Sequence, residues 1–206
     1  MTEAPLFSTK QRILGAAEDL FARHGFTGAS LRQVTAAARV NLAAVNYHFG
    51  SKDKLIEEVF RRRLDELNAR RLAALARVTA KSMVSLEDVL DAFITPALEL
   101  SLDRSGGSAF VRVLARAYAE HNEHLRKFLS DNYGHVLHEF AAVFAGLLPH
   151  LAKEELYWRL DIVAGALTYA MADFGVIKRR DGQSERDFRE RAALHLIRFA
   201  AAGLRE

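Results

Sequence analysis

The chain of 206 residues contains no cysteine, and none of its apolar runs is long. Without cysteine it forms no disulfide and no thiolate zinc site, which fits a reducing compartment. The longest apolar runs, such as IVAGALTYAMA from Ile162, stop short of the roughly 18 residues that a membrane-spanning helix needs. No signal-peptide pattern opens the chain. We therefore expect a cytoplasmic protein with no membrane partner.

Proline is scarce as well, with three in the chain, and alternating strand-like runs are missing. Apolar residues recur at intervals of three and four, which predicts an all-α protein of about nine helices. Four helix starts carry a serine that can cap free backbone amides: Ser8, Ser30, Ser85 and Ser184. The predicted helices span residues 9–24, 31–38, 42–48, 52–79, 86–102, 109–119, 123–148, 153–179 and 185–204. We assign residues 1–51 to a helix-turn-helix head domain and residues 52–206 to a helical body.

The signatures of catalysis are also absent. The sequence has no Gly-x-Ser-x-Gly elbow, no glycine loop that could cradle a phosphate and no nucleophilic cysteine. Two histidine pairs at a spacing of three, His121 with His124 and His135 with His138, suit metal geometry, but no carboxylate completes a metal motif. We therefore expect no enzyme activity, no cofactor and no metal. We keep open two functions of other classes: a helical-bundle lipid carrier and a metal-dependent enzyme.

The net charge of +3 is concentrated at the start of the chain. Residues 1–54 hold seven lysines and arginines against four acidic residues, so the remainder of the chain is neutral. A small basic module on a neutral body predicts a head that binds a polyanion.

This basic module has the spacing of a helix-turn-helix, because two short predicted helices are joined by a three-residue turn. Val34 and Val45 face the first helix, which leaves the outer face of the second short helix free to enter a DNA major groove. There Asn46 can bond base edges or a phosphate. Lys52 opens the next helix, whose free amides and positive dipole end attract a phosphate. The candidate DNA-binding residues are Ser30, Arg32, Gln33, Asn41, Leu42, Ala43, Asn46, Tyr47, His48 and Lys52.

The run ILGAAEDLFARHGFTGASLRQVTAAARVNLAAVNYHFGSKDKL resembles the DNA-binding head of TetR-family transcriptional regulators. In that family the helix-turn-helix ends in a tyrosine, a histidine-phenylalanine pair and a lysine that opens the fourth helix. The likeness covers about residues 9–56 and has two departures. Arg39 stands where the family usually has the turn glycine, and Asn46 stands where it usually has the first tyrosine. A left-handed Arg39 would cost about 1 kcal/mol.

The resemblance implies a homodimer joined by two C-terminal helices from each subunit. Apolar stripes on the last two predicted helices supply the candidate dimerisation residues: Leu160, Val163, Leu167, Phe188, Ala192, Leu196, Phe199, Ala200 and Gly203. The alternative is that these stripes pack within one subunit. A dimer is favoured because a single helix-turn-helix makes few phosphate contacts and symmetric binding to two half-sites supplies the rest.

The resemblance also implies a ligand pocket in the helical body. The candidate ligand-binding residues are Phe93, Phe110, Arg112, Arg116, Phe128, Tyr133, Phe140, Trp158 and Tyr169. For the aromatic residues the alternative is ordinary core packing. Arg112 and Arg116 lie one helical turn apart among apolar neighbours, so their partner is either a ligand anion or an internal carboxylate such as Asp173.

Within the family, the stretches NLAAVNYHFGSK, HLRKFL and EELYWRLDIVAGAL are similar to the PsrA-like branch, which is associated with fatty-acid signals. The resemblance therefore implies a ligand-responsive transcriptional repressor that binds a palindromic double-stranded DNA operator as a dimer. Its DNA affinity would be modulated by a small apolar effector such as a fatty acid or acyl-CoA.

Overall fold

The computed structural model describes residues 8–103, 106–120, 122–172 and 179–206, and all regular structure in these ranges is α-helix. The prediction of an all-α fold is confirmed. The helices in the described ranges are α1 (Thr9–Gly28), α2 (Leu31–Ala38), α3 (Leu42–Phe49), α4 (Lys52–Thr79), α5 (Leu86–Ser101), α6 (Gly107–Ala119), α7 (Glu123–Leu147), α8 (Lys153–Met171) and α9 (Glu185–Arg205).

The four predicted serine caps are present. Ser8, Ser30 and Ser85 each accept a bond from the backbone amide three residues later, and the side chain of that residue accepts a bond from the serine amide. Ser184 accepts from the amide of Asp187 at 3.0 Å. Each cap satisfies amide donors that the first helical turn leaves free and contributes about 1 kcal/mol. These helix starts are therefore set by local sequence.

Two helix ends, those of α1 and α8, differ substantially from the prediction. Helical turns resume after Gly25 and continue to Gly28, so α1 is longer than expected. Gly25 has φ 73° and ψ 175°, a combination that is essentially restricted to glycine. The helix α8 ends at Met171 and is capped by Ala172, short of its predicted end at residue 179. Residues 173–178, with Asp173, lie outside the described residues.

The chain forms two compact units. The head unit comprises residues up to 64 together with 109–128, and the body unit comprises residues 65–108 and 129–206. The helices α4 and α7 contribute residues to both units. The expected boundary after residue 51 stays a prediction, since the compact units divide α4 further along.

Phenylalanines from distant parts of the chain form the core of the head unit. Phe21, Phe26, Phe60 and Phe110 follow one another with ring centroids 5.6, 6.2 and 5.5 Å apart. All four are buried, and burying one phenylalanine side chain stabilises a fold by about 1.5–3 kcal/mol. Because Phe110 belongs to α6, this core joins α6 to α1 and to the start of α4.

In the body unit, α8 and α9 run antiparallel. Arg159 Nη1 donates to the carbonyl of Gly203 at 2.7 Å, and Arg189 Nη1 donates to the carbonyl of Ala170 at 2.7 Å. The helix α5 packs against both. The core between these helices and α7 contains the buried residues Leu90, Ile94, Leu98, Phe140, Phe144, Leu160, Val163, Leu167, Ile197 and Leu204.

Candidate nucleic-acid interface

The turn between α2 and α3 contains a left-handed residue at the position where the resemblance places the family's turn glycine. Arg39 has φ 53° and ψ 51° and is the one non-glycine residue with positive φ in the described ranges. From α1, Arg12 Nη2 donates to the carbonyl oxygens of Ala38 and Arg39 at 2.6 and 2.8 Å. These charge-assisted bonds satisfy carbonyls at the C-terminal end of α2 and offset part of the roughly 1 kcal/mol that the conformation costs.

The helix α3 is anchored by one face and exposes the other. Val45 and Phe49 are buried against the head core. The opposite face presents Tyr47, whose side chain is 86% exposed, and a set of exposed small or polar residues. That set is Asn41, Leu42, Ala43 and Asn46. The exposed face therefore contains the methyl groups and the amide that reading a major groove requires.

Three of the predicted contact residues, Ser30, Gln33 and Asn41, are partly committed to helix caps. Asn41 Oδ1 accepts from the amide of Ala44 at 2.9 Å, which leaves its NH₂ group as the part available to donate. Ser30 Oγ donates to Gln33 Oε1 at 2.9 Å and accepts from the Gln33 amide. Arg32, in the first turn of α2, is exposed. An exposed cation beside free helix amides forms an anion site.

Lys52 opens α4 as predicted. Ser51 Oγ caps this helix by accepting from the amide of Lys54 at 3.2 Å. Lys52 itself is half-buried and lines a groove of about 790 Å³ together with Asp53. His48, also half-buried, meets the edge of the Tyr47 ring at a centroid distance of 5.1 Å. Lys52 follows α3 by three residues in the chain, so both sets belong to the head unit.

A carboxylate that directly follows α6 bonds to the backbone of α1, which sequence reasoning missed. Glu120 accepts from the amide of Phe26 at 3.2 and 3.1 Å and from the amide of Thr27 at 3.3 Å. These amides are free because Gly25 breaks the helix there. A Cβ atom on Gly25 would lie 2.1 Å from Glu120 Oε1, so glycine is required both for its backbone angles and for this approach.

A second contact joins α4 to the start of α7 within the head unit. Glu57 is buried and accepts from Lys54 Nζ at 2.9 Å and from His124 Nε2 at 2.6 Å. Burial raises the pKa of Glu57, but the bonds from Lys54 and His124 together outweigh it, so the pKa lies below its usual value. Ionised Glu57 is therefore part of the folded head.

A buried ion pair joins α1 to α4. Arg63 Nε and Nη2 donate to the two carboxylate oxygens of Glu18 at 3.1 and 3.3 Å. Glu18 is 3% exposed, and burial raises its pKa although Arg63 partly counteracts this. Removing one partner of such a pair costs about 3–5 kcal/mol, because the other charge is left buried and uncompensated. No local pattern in the sequence signals this pair.

The predicted ligand-binding residues are divided between the two units. In the head unit, Phe110 and Phe128 are buried in the core. Arg112 and Arg116 are exposed, and Arg116 Nη2 donates to the carbonyl of Arg23 at 3.3 Å. The premise that Arg112 is a buried cation in need of an anion does not hold, because its side chain is solvated.

In the body unit, Phe93 and Phe140 meet edge to face, with ring centroids 5.1 Å apart. They line an internal cavity of about 10 Å³, which is the lower limit for holding one water molecule. Tyr133 is half-buried. Trp158, which is 62% exposed, and Tyr169 lie on the outer surface of α8 and do not line this core.

The candidate dimerisation residues also divide into inner and outer sets. Four are buried within the body unit: Leu160, Val163, Leu167 and Ala200. The others are half-buried or exposed: Phe188, Ala192, Leu196, Phe199 and Gly203. The buried set faces inward because i, i+3 and i+7 on α8 place these side chains toward α5 and α9. An outward apolar stripe on α8, not predicted as such, contains Trp158, Ile162 and Tyr169.

Neither a metal centre nor a membrane-spanning helix is found in the part of the chain that the structure describes. No group of three or more His, Asp or Glu side chains there is placed to hold a metal ion. His121, one of the four histidines considered from the sequence, lies outside the described residues. No described helix is long and apolar enough to span a membrane.

Two family models match this chain. The model described as bacterial regulatory proteins, tetR family, matches residues 13–59, which contain the helix-turn-helix. The model described as Tetracyclin repressor-like, C-terminal domain, matches residues 91–203, more than half of the chain. The chain belongs to the TetR family.

Known TetR-family proteins resemble it over different lengths. The HTH-type transcriptional repressor Rv3405c of Mycobacterium tuberculosis is 37% identical over 105 residues, which is 51% of this chain and 44% of that protein. The match thus spans less than half of this curated relative. AmtR from Mycobacterium smegmatis superimposes with a TM-score of 0.66 at 16% identity, covering 100% of this chain and 90% of that chain. The fatty acid degradation regulator FadR from Bacillus halodurans gives 0.64 at 15% identity, covering 100% of both chains. These two likenesses establish the TetR-like fold alone.

Proposed function

We propose that this TetR-family chain is a transcriptional repressor that binds a palindromic DNA operator as a homodimer. The observation that carries the proposal is the helix α3, whose buried face is held by Val45 and Phe49 while its other face presents Asn46 and Tyr47 to solvent. The family is one of regulatory proteins, which supports the expectation that the chain is not an enzyme. No observation favours a lipid carrier or a metal-dependent enzyme.

The proposed DNA contacts fall into two classes. Asn46, Leu42 and Ala43 meet base edges in the major groove, because they lie on the exposed face of α3. Tyr47, Lys52 and Arg32 contact phosphates on either side of it, since they lie at the exposed ends of α3, α4 and α2. Four further residues contact DNA through the donors and acceptors that capping and packing leave free: Ser30, Gln33, Asn41 and His48.

The proposed dimer face is the outward stripe of α8 with the exposed part of α9. Trp158, Ile162 and Tyr169 expose large apolar surface on α8, and Phe199 is 72% exposed on α9. Large apolar patches exposed on a protein surface often mark interaction sites. Of the candidates named from the sequence, Phe188, Ala192, Leu196, Phe199 and Gly203 remain available to it. The four buried candidates, Leu160, Val163, Leu167 and Ala200, pack beneath this proposed face.

The proposed effector is an apolar small molecule such as a fatty acid or acyl-CoA. This part of the proposal rests on the three stretches of PsrA-like sequence, and FadR, a protein of the same fold, is a regulator of fatty acid degradation. Because the cavity beside Phe93 and Phe140 is only about 10 Å³, an effector must open the core of the body unit to bind there. Binding would then shift the population of conformations of α4 and weaken DNA binding.

The experiment is DNA retardation with the region upstream of the gene and with random DNA, over a range of salt concentrations. Lys52→Ala should weaken binding to both DNAs alike and reduce the salt slope by about one unit. Lys153→Ala is the matched control, because Lys153 also opens a helix but belongs to the body unit. Asn46→Ala should instead reduce discrimination between the two DNAs.

Three results contradict the proposal in distinguishable ways. If the wild-type protein retards no DNA at low salt, the proposed function fails. If Lys52→Ala behaves like Lys153→Ala, the start of α4 does not contact the backbone. If fatty acids and acyl-CoA release no DNA from wild-type protein, the effector class fails while DNA binding stands.

A further inference from the structure

An arginine in the body unit is buried without a full set of partners among the described residues. Arg189, on α9, is 8% exposed. Its Nη1 donates to the carbonyl of Ala170 at 2.7 Å, near the C-terminal end of α8. Its Nε is buried and has no hydrogen-bond partner within the described ranges. The Phe188 ring lies 6.0 Å from the guanidinium, at the limit of a cation–π contact.

Such a cation is costly unless an anion neutralises it. A guanidinium carries five N–H donors and stays charged in proteins, and a buried charge is normally paired and hydrogen-bonded. The carbonyl of Ala170 and the negative dipole end of α8 stabilise only one side of the Arg189 group. The Nε–H and one Nη2–H are parallel on the other edge, which is the arrangement that binds both oxygens of a carboxylate.

Arg189 lines a cavity of about 360 Å³ between α5 and α9. Leu98, Leu102 and Ala193 provide apolar wall. The polar lining residues, besides Arg189, are Thr95, Glu99, Arg186 and Glu190. Ligand sites typically measure about 300–1,000 Å³ and combine apolar walls with a few polar groups. The cavity therefore has the size of a site for a small molecule.

The other charges that line the cavity already have partners. Arg186 Nε is 3.1 Å from Glu190 Oε1, and Glu99 Oε2 is 3.9 Å from Arg70 Nη1. Both pairs are exposed to solvent, and Arg70, which does not line the cavity, is shared between Glu99 and Glu66. Arg189 differs from these groups because it is buried and lacks a carboxylate partner within the part of the chain that the structure describes, so it is the lining group that a ligand carboxylate would pair with.

We infer that this cavity binds a small monocarboxylate with a short apolar tail. The carboxylate bonds to the guanidinium of Arg189, whose Nε is closed off from solvent in this structure and takes part once the group turns toward the cavity. The tail packs against Leu98 and Leu102. The small volume favours a short-chain or aromatic acid over a long acyl chain or an acyl-CoA. This site goes beyond the proposed function and is independent of it, since it contains no residue of the head unit and its test uses no DNA.

The test is calorimetric titration of the full-length protein with sodium hexanoate and sodium benzoate, with inorganic phosphate and hexanamide as probes of charge and shape. Wild-type protein should bind at least one of the acids and should bind hexanamide and phosphate at least tenfold more weakly. Its melting temperature should rise with acid concentration, since a ligand that binds only the folded state stabilises it.

Arg189→Met should weaken acid binding at least tenfold, because it keeps the volume and removes the charge. Arg189→Lys keeps the charge but loses the two parallel N–H donors of the guanidinium, so it should also lose most of the affinity. This variant keeps the test valid if Arg189→Met does not fold. Arg198→Met is the matched control, because Arg198 is an exposed arginine on the same helix. No binding to wild type, tighter binding of phosphate, or equal acid binding by wild type and Arg189→Lys would overturn the inference.

Discussion

The bond between Glu120 and the backbone of α1 predicts a specific energetic coupling between positions 25 and 120. Replacing Gly25 by alanine has two costs. The backbone angles of φ 73° and ψ 175° are strained for any residue with a Cβ atom, at about 1–3 kcal/mol. The new Cβ would also lie 2.1 Å from Glu120 Oε1 and would displace the carboxylate from the amides that it binds.

The second cost follows from the hydrogen bonds that are lost. Hydrogen bonds to charged groups contribute about 1.5–3 kcal/mol when buried, and Glu120 is only half-buried, so we take about 1–2 kcal/mol for the set. Glu120→Ala should therefore lower the free energy of unfolding by about 1–2 kcal/mol. Gly25→Ala should lower it by about 2–5 kcal/mol, the sum of strain and lost bonds.

The double variant separates the two terms. Once Glu120 is alanine, Gly25→Ala costs only the backbone strain. The summed destabilisation of the two single variants should therefore exceed the destabilisation of the double variant by about 1–2 kcal/mol. Urea denaturation followed by circular dichroism measures each free energy. Gly182→Ala is the control, because Gly182 also has positive φ, 78°, but a Cβ there meets no described atom within 4 Å. If the effects of Gly25→Ala and Glu120→Ala add within about 0.5 kcal/mol, the contact between Gly25 and Glu120 carries no energy.

Three further perturbations have defined outcomes. Arg39→Gly should raise the free energy of unfolding by about 1 kcal/mol in urea denaturation, since glycine adopts φ 53° without strain; an unchanged midpoint would mean that the backbone is not strained there. Phe199→Arg should give a folded monomer by light scattering. Ala200→Arg should instead unfold the protein, because Ala200 is buried within the subunit. A dimer that survives Phe199→Arg would place the interface elsewhere. Glu57→Gln should lower stability by about 1 kcal/mol at pH 7. Because the folded-state pKa of Glu57 is lowered, its ionised form stabilises the fold above about pH 4.3, and this contribution is lost as the pH falls below it. If the difference in free energy of unfolding between Glu57→Gln and wild type stays constant through that pH range, the charged contacts do not stabilise the fold.

Helix starts and the helix-turn-helix were predictable from the sequence because their causes are local. A serine with a partner three residues later caps its own helix, as at Ser8, Ser30 and Ser85. The left-handed conformation of Arg39 was suggested by the family resemblance, because Arg39 stands where that family usually has the turn glycine. These interactions involve neighbours in sequence, so the pattern of residue types contains them.

The sequence predicts less well which face of a helix points inward. Periodicity identifies an apolar stripe, but not the helix against which that stripe packs. On α8, Leu160 and Val163 form one stripe and Trp158 and Ile162 form another, and only packing against α5 and α9 decides which is buried. Arg112 was expected to be buried because its neighbours in sequence are apolar, yet it lies on the solvent side of α6.

Local sequence therefore specifies an all-α chain, its helix starts and a basic head with a helix-turn-helix. Tertiary structure decided the contacts between residues far apart in the chain: Glu120 with the amide of Phe26, 94 residues away, and Glu18 with Arg63, 45 residues away. It also decided that Arg189 is buried with no partner for its Nε among the described residues. Each of these depends on where a second helix packs, and that is set by the burial of the whole core, which no local pattern of residues encodes.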